Sequence, residues 1–507
     1  MRLNGKKEDK MLIYNNETKY FDYELEDVIK LFFTQNEIKK SDEPWDERSG
    51  AFLFCFKSYE EGDDFFNISL KAKGFSEIIS LPCNGIVDSP DKLKVKDFKR
   101  LLKRKLFLLL TGYTGKVIPW GILTGIRPVK LVNELIDHKM AKSDILSVLH
   151  KDYFVTENKA RLLYEVAVNQ REMFTESKGN SISLYVGIPF CPTRCLYCSF
   201  SSSTIAQYKK MVDVYVDTLL KEIRHTALLM KEKGLIAESI YIGGGTPTSL
   251  NEQQLSRLLS GIEDCIDMTY LREYTLEAGR PDTITIEKLK VIKNSRVSRI
   301  SINPQTMNKK TLLRIGRLHN PEDVISSFYS ARDIGFNNIN MDLICGLPGE
   351  DIQMFNETLR KIKELCPDSL TVHTMAIKRA SQLTKEMENY SLKTQYADSA
   401  RMVDIARTCA EEMGLNPYYL YRQKNILGNL ENVGYSRPGM ECLYNIQIME
   451  ERQTILACGA GAVTKVIFPM NRIERSFNVK SVEEYIGRID EMLERKANIL
   501  SEENNKY

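Results

Sequence analysis

The sequence predicts an α/β protein in three parts, organised around a partial (β/α)6 barrel. From about residue 182 to residue 376, short β-rich runs alternate with amphipathic helical runs, the pattern of parallel βα units. About six units can be counted, too few for a closed eight-stranded barrel. The length of 507 residues then requires flanking domains, at about 100–200 residues each. The predicted division is an α/β N-terminal accessory domain over 1–175, the barrel over 176–378 and a mainly helical C-terminal region over 379–507.

The N-terminal part opens with strand candidates FLFCF, NISLKAK and EIISLP and turns helical from about Asp97. Its run Lys92 to Lys105 carries eight basic residues and one acid, which reads as a solvated helix face ahead of an anion or RNA contact. GYTGKVIPWGILTGIRPVKL reads as loop and turn. In the barrel, SLYVGI (183–188) is the first strand. Val212, Tyr215, Val216, Leu219, Leu220 and Ile223 then recur with helical period, placing one apolar stripe against the sheet. SIYIGG, a helix capped by Asn251, YTLEAG, a helix from about Thr285, RISIN, NINMDLI, a helix from Asp351 and SLTVHTM complete the series. Downstream lie helical segments, a tyrosine-rich PYYLYRQ, a small-residue ACGAGAV and a terminal amphipathic helix from Val482 to Leu500.

Composition narrows the function classes. Lys+Arg 71 against Asp+Glu 68 is too balanced for a dedicated nucleic-acid or membrane-surface protein. No apolar run approaches the roughly 18 residues of a membrane span, and the N-terminus lacks a secretory apolar region, so a cytoplasmic location is expected. Eleven cysteines in that setting are thiols or metal ligands rather than a disulfide framework.

Eight of these cysteines are scattered, while Cys191, Cys195 and Cys198 stand together in SLYVGIPFCPTRCLYCSF. The Cys-x3-Cys-x2-Cys loop supplies three thiolates with no fourth nearby. Structural zinc is usually closed by four ligands, whereas a four-iron cluster on three thiolates keeps one iron open. One βα unit on, Gly243, Gly244 and Gly245 end the second strand before Thr246; glycine admits close approach to a ligand, and it also suits a tight βα turn. Glu277, Gln305 and Asp342 lie near the C-terminal ends of further strands, with Arg317 in the loop RIGRLH. A carboxylate in a strand as apolar as INMDLI is costly unless paired or ligand-bound. An internal salt bridge, for example Glu277 with Arg317, is the competing explanation.

These segments resemble the radical S-adenosylmethionine (SAM) enzymes. LYVGIPFCPTRCLYCSF, GGGTPTSL, LEAGRPDTI, INPQTM, IGRLHN, MDLICGLPGE and GAGAV, in that order, most resemble the oxygen-independent coproporphyrinogen III dehydrogenases and, within them, the HemZ branch. The resemblance implies that Cys191, Cys195 and Cys198 ligate a [4Fe-4S] cluster. They form the catalytic set with Tyr185. It also implies that Tyr185, Tyr197, Gly243, Gly244, Gly245, Thr246, Glu277, Gln305, Arg317 and Asp342 serve one bound SAM. Ile344 and Ala376 occupy positions that would serve a second. Gly187 stands where this family commonly has histidine, and Ser199-Phe200 follow the last cysteine in place of Gly-Cys.

The activity so implied is a radical SAM oxidoreductase of haem and porphyrin biosynthesis. It would convert propionates of coproporphyrinogen III to vinyl groups without oxygen, with Arg379, Arg422 and Lys424 as candidates by position for partners of the substrate carboxylates. The partners expected are a tetrapyrrole substrate and an external electron donor such as flavodoxin or ferredoxin. Nucleic acid is not expected, nor a membrane span, and the chain is expected to act as a monomer. The competing readings are a haem-binding chaperone, with His319 and His373 nearest the predicted rim among the five histidines, and a radical SAM haem methyltransferase or ring-opening enzyme.

Overall fold

The computed structural model describes residues 11–34, 37–41, 50–86, 89–198, 203–376, 392–423, 429–469 and 472–501, with side chains of the helix Leu392–Glu412 described from Asp398. The chain forms two compact units, residues 1–128 with 134–164, and residues 129–133 with 165–507.

In the first unit β1 (Leu12–Asn16), β2 (Ile38–Lys40), β3 (Ala51–Glu60), β4 (Asp63–Ala72) and β5 (Phe75–Pro82) form a sheet in the order β2-β1-β3-β4-β5. β1 runs parallel to β2 and β3, and β3 to β5 form an antiparallel meander. The turn between β3 and β4 places Glu61 at φ 54° and Gly62 at φ 96°, two positive values in a row as a tight hairpin demands. Alternation along β3 sends Leu53 and Cys55 inward, where they meet Phe66, Ile68 and Leu70 of β4 and Leu25, Phe98 and Leu102 from two helices. The second of these helices, Lys92–Thr114, starts one turn ahead of the sequence-predicted point because Asp91 caps the amides of Leu93 and Lys94. Its basic run is the solvated, paired face expected of it: Lys99 meets Glu24, Lys103 meets Asp27 and Arg104 meets Asp152.

The second unit carries β6 (Ser181–Ile188), β7 (Phe190–Cys191), β8 (Ser203–Thr204), β9 (Ile236–Gly244), β10 (Glu273–Gly279), β11 (Arg299–Ile302), β12 (Ile339–Cys345), β13 (Ser369–Thr374), β14 (Asn416–Tyr421), β15 (Asn432–Ser436), β16 (Thr454–Cys458), β17 (Val463–Phe468) and β18 (Arg472–Phe477). All but β7 and β8 join one sheet, ordered β14-β15-β13-β12-β11-β10-β9-β6-β16-β17-β18. The six strands read from the sequence sit side by side and parallel from β6 to β13. Such strands are covered on both faces, and in β11 all four residues, Arg299 and Ser301 included, are buried. The predicted helix stripe is also present, all six of its residues being buried on Val212–Glu232. Asn251, Thr285 and Asp351 each cap a following helix through a side-chain oxygen.

The C-terminal region holds the expected helices, among them Leu392–Glu412 and Ile489–Ser501, and adds five strands that the sequence reading did not assign. At one edge β15 pairs antiparallel with β13 and β14 antiparallel with β15; β16 lies parallel beside β6 and leads into the hairpin β17-β18. Most of these strands show no inward–outward alternation, the pattern running eBBBBi in β14 and BBBBB in β15, so a two-residue period does not mark them. A buried polar cluster fixes the C-terminal helix to the barrel. Glu222 accepts from Lys496 Nζ at 2.8 Å, Tyr485 Oη at 2.5 Å, Asn478 Nδ2 at 2.8 Å and the Gly459 amide at 2.8 Å. Lys496 also donates to Thr226 Oγ1 at 3.0 Å.

Candidate active site

Strand β6 ends at Ile188 and the chain turns into the cysteine loop. Phe190 is fully buried and packs edge-on against Tyr215, which anchors Cys191 on β7. The glycine segment after β9 threads beside it: Gly245 N donates to Ile188 O at 2.7 Å and Thr246 N to Phe190 O at 2.8 Å. A Cβ at Gly245 would lie 2.6 Å from Phe190 O and 3.0 Å from Cys191 Sγ, so only glycine fits there. Thr246 Oγ1 lies 3.5 Å from Cys191 Sγ.

The rest of the loop is tied to the segment after the helix Lys309–Arg314. Leu196 N donates to Ile315 O at 3.0 Å and Thr193 Oγ1 to Gly316 O at 2.9 Å, while Cys198 N turns back to Cys195 O at 3.1 Å. Tyr197 and Cys195 lie against Arg317, and although burial works against the Arg317 charge, both neighbours favour it strongly enough to raise its pKa. Arg317 Nη1 donates to Asn303 O, and Nε is buried without a hydrogen-bond partner.

Along the rim, a Cβ at Gly243 would lie 3.0 Å from Glu277 Cδ, and one at Gly244, whose φ is 110°, would lie 3.2 Å from Tyr185 Oη. Tyr185 stacks with Tyr241 and Tyr444, whose ring centroids are 4.6 Å apart. Glu277 sits beside a β-bulge between Glu277 and Gly279, a device that re-aims side chains near sites. Burial pushes its carboxyl up to about 7, against the hydrogen bond from Tyr241 and with Asp342 adding to the rise. Its hydrogen bond comes from Tyr241 Oη rather than Arg317. Asp342 goes the other way: burial works to raise it, but the nearby His373 ring and hydrogen bonds from Asn340 and Thr371 hold it below the usual carboxylate range. Asn340 Nδ2 donates to Asp342 at 2.7 Å and His373 Nε2 stands 3.9 Å away. Gln305 is a non-glycine residue at φ 68°, locked by Gln305 N to Asp342 O at 2.9 Å and Ile344 N to Gln305 O at 3.0 Å; such strain concentrates at functional sites.

The structure thus brings the three cysteines, the glycine segment, Glu277, Gln305, Arg317 and Asp342 to one end of the parallel strands. Ile344 is buried with Leu196, Ile315 and Met375, and Tyr197 packs on the same group. Ala376 follows Met375 and is half-buried. Sequence reasoning passed over Thr193, Tyr241, Arg280, Asp282, Tyr421 and Tyr444. Only Arg280 and Asp282 left a signal, an Arg-x-Asp pair inside LEAGRPDTI. Arg379, Lys424, Ser199 and Phe200 lie outside the described residues. Arg422 is buried and donates to Asn429 O through Nε at 3.1 Å and Nη2 at 2.6 Å.

Residues 185–362 match the Radical SAM superfamily. Over 421 residues, 82% of this chain and 84% of the relative, the chain is 41% identical to the oxygen-independent coproporphyrinogen-III oxidase-like protein HemZ of Bacillus subtilis. The chain belongs to the HemZ-like radical SAM proteins. It is also 32% identical over 311 residues, 61% of this chain and 76% of the relative, to the heme chaperone HemW of Bacillus subtilis. Among solved structures, coproporphyrinogen III oxidase (HemN) from Escherichia coli, a radical SAM enzyme, matches at a TM-score of 0.50 and 25% identity, covering 64% of this chain and 73% of that one.

Membership in the superfamily implies a [4Fe-4S] cluster and SAM, and the residues of this HemZ-like chain fit both. The donor set is all thiol, the usual cluster ligation. The cradle at Gly245 has no room for a Cβ, and a buried guanidinium nitrogen of Arg317 waits without a partner. Among the described residues no three His, Cys, Asp or Glu side chains converge as one metal ion would require; a four-iron cluster instead gives each thiolate its own iron. No described helix is long and apolar enough to cross a membrane.

Proposed function

We propose that the chain is a radical SAM enzyme acting on a tetrapyrrole, and that its reaction is the oxygen-independent oxidative decarboxylation of coproporphyrinogen III propionates to vinyl groups. The observation that carries this reading is the reach of the likeness to HemZ. Its 421 aligned residues outnumber those of the whole second unit, so the kinship extends beyond the barrel shared with HemW.

Cys191, Cys195 and Cys198 would hold the cluster. Tyr185, Tyr197, Gly243, Gly244, Gly245, Thr246, Glu277, Gln305, Arg317 and Asp342 would line the SAM site, and Ile344 with Ala376 a second one. Bound there and reduced by an external donor such as flavodoxin or ferredoxin, the cluster and SAM would supply a 5′-deoxyadenosyl radical, the hydrogen-atom acceptor that converting a propionate to a vinyl group and CO2 requires, with a one-electron acceptor taking the remaining electron. The protein's part is placement and exclusion of water. Gly243 and Gly244 keep the end of β9 low, so that a ligand can lie on backbone. Asp342, held ionised, accepts hydrogens from ligand hydroxyl or ammonium groups, while Glu277 accepts a hydrogen bond from the Tyr241 phenol, which burial keeps protonated. The stacked rings of Tyr185, Tyr241 and Tyr444 give this end of the sheet a dry wall.

A second reading, a haem carrier, draws on the identity to HemW. His319 is 2% exposed and enclosed beside Asp282, which leaves His373, half-buried and bonded to Tyr421 Oη at 3.2 Å, as the histidine a haem would reach at the rim. Anaerobic incubation of the reconstituted protein with dithionite, SAM and coproporphyrinogen III, read by chromatography, tests the choice. Vinyl products are expected. 5′-Deoxyadenosine without vinyl products, together with stoichiometric haem binding that His373→Ala abolishes, would replace the enzyme by the carrier.

A further inference from the structure

Arg280 follows the bulge of β10 and is 3% exposed. A guanidinium so enclosed is costly unless every nitrogen finds a partner, and here all three do, in two directions. Nε and Nη2 grip the two oxygens of Asp282 at 3.0 and 2.7 Å, the bidentate geometry that only arginine offers a carboxylate. The remaining nitrogen, Nη1, turns into the cysteine loop, donating to Thr193 Oγ1 at 2.7 Å and Thr193 O at 3.2 Å and reaching Cys195 Sγ at 3.8 Å.

Asp282 is itself fixed. Burial works to raise its carboxyl, but the neighbouring His319 ring and the hydrogen bonds from Arg280 outweigh that and hold it well below the usual carboxylate range. The His319 ring lies 3.8 Å from Asp282 Oδ1 and is fully enclosed, with neither nitrogen hydrogen-bonded among the described residues. The carboxylate therefore stays charged and Arg280 stays aimed.

We infer that Arg280, oriented by Asp282, is a positioning residue for the cluster: it fixes the turn between Cys191 and Cys195 and presents an N–H to the Cys195 sulfur. This rests on the proposed role of Cys195 as a cluster ligand. Reduction adds negative charge that spreads onto the thiolates, so a donor aimed at one of them stabilises the reduced cluster and raises its reduction potential. Lysine cannot serve both directions at once, having no fork with which to hold Asp282 while reaching the loop.

The test uses the full chain, reconstituted anaerobically, with iron content and the cluster midpoint potential from an EPR-monitored redox titration as readouts. Arg280→Gln should shift the potential to more negative values and change the EPR line shape, and Arg280→Lys should recover only part of the shift. If Arg280→Gln does not fold, Asp282→Asn decides: it touches no cysteine, frees Arg280 to turn away, and should move the potential in the same direction by less. A folded Arg280→Gln or Asp282→Asn protein with the parent's iron content, potential and line shape would overturn the inference. A parent chain that takes up no iron overturns the cluster site instead.

Discussion

Glu222 and Glu277 are carboxylates of the same unit, and the fold surrounds them in opposite ways. Glu222 receives four donors, one of them the charged Lys496, and each comes from the C-terminal 50 residues that it holds in place. Among the described residues Glu277 is met by one phenol, Tyr241, and the Gly244 amide. Burial has pushed it up to about 7 instead of supplying a counter-charge. Beside it lie a bulge and Gly244 at φ 110°. A buried charge that the chain satisfies completely belongs to the architecture. One left half-satisfied in strained surroundings is arranged for something that arrives later.

The sharpest way to break that contrast is at the cluster. Cys195→Ala is expected to abolish iron uptake altogether on anaerobic reconstitution, measured as irons per chain, with the fold intact by circular dichroism. Stoichiometric zinc in place of iron in anaerobically prepared parent protein would count against the cluster site.

At Glu222 the loss should be one of stability. Lys496→Met leaves a buried carboxylate without its counter-charge, a loss of about 3–5 kcal/mol in denaturant unfolding, while the folded fraction still binds iron and SAM. Normal stability in this variant would show that Glu222 is neutralised some other way.

Asp342→Asn and Glu277→Gln should do the reverse, keeping iron and stability but weakening SAM. Loss of a charge-assisted hydrogen bond of about 1.5–3 kcal/mol corresponds to roughly a 10- to 100-fold rise in Kd, readable by calorimetry on the anaerobic protein. Parent-like affinity in both variants would remove them from the pocket.

The finest distinction is in pH. Glu277 has a folded pKa of about 7, raised from its ordinary value of 4.5, so the folded state holds the proton more tightly than the unfolded state. Its favourable contribution is present below pH 4.5 and is lost as pH rises to about 7. Unfolding free energy should therefore fall across that window and, if SAM binds the ionised form, affinity should rise across it; Glu277→Gln should flatten both. A slope that survives the substitution belongs to another group.

Much of this was legible before any coordinates. The six parallel strands follow from alternating apolar runs, and the helix starts from Asn251, Thr285 and Asp351. The cysteine spacing and the glycine triplet identified the loop and its neighbour. What escaped has a common cause. β16 is a five-residue strand in a small-residue stretch, and nothing local reveals that it pairs with β6. Arg280 is an ordinary charge in sequence; its meaning comes from Thr193 and Cys195, 85 or more residues away. The predicted boundary near residue 175 looked like a change from helix to strand. The compact units divide at Tyr164–Glu165, within the helix Glu157–Phe174, because Arg407 pairs with Glu165 and Asn169 reaches Pro417 O. We propose that a chain starting at Thr156, rather than one starting after residue 175, retains iron and SAM cleavage without the accessory unit.

The pairing of β16 with β6 also sets an order of events in synthesis. β6 is among the first strands of its unit to leave the ribosome, yet the neighbour on its outer side is made about 270 residues later, and Lys496, which closes the cluster on Glu222, is separated from it by 274 residues. Contacts so distant in sequence form late and slowly. The nascent protein must therefore carry its cysteine loop beside an unfinished sheet edge until β16 has been made. Iron–sulfur insertion would act on a completed chain, and growth conditions that slow the last stage of translation should lower the iron content of the purified protein before they lower its yield.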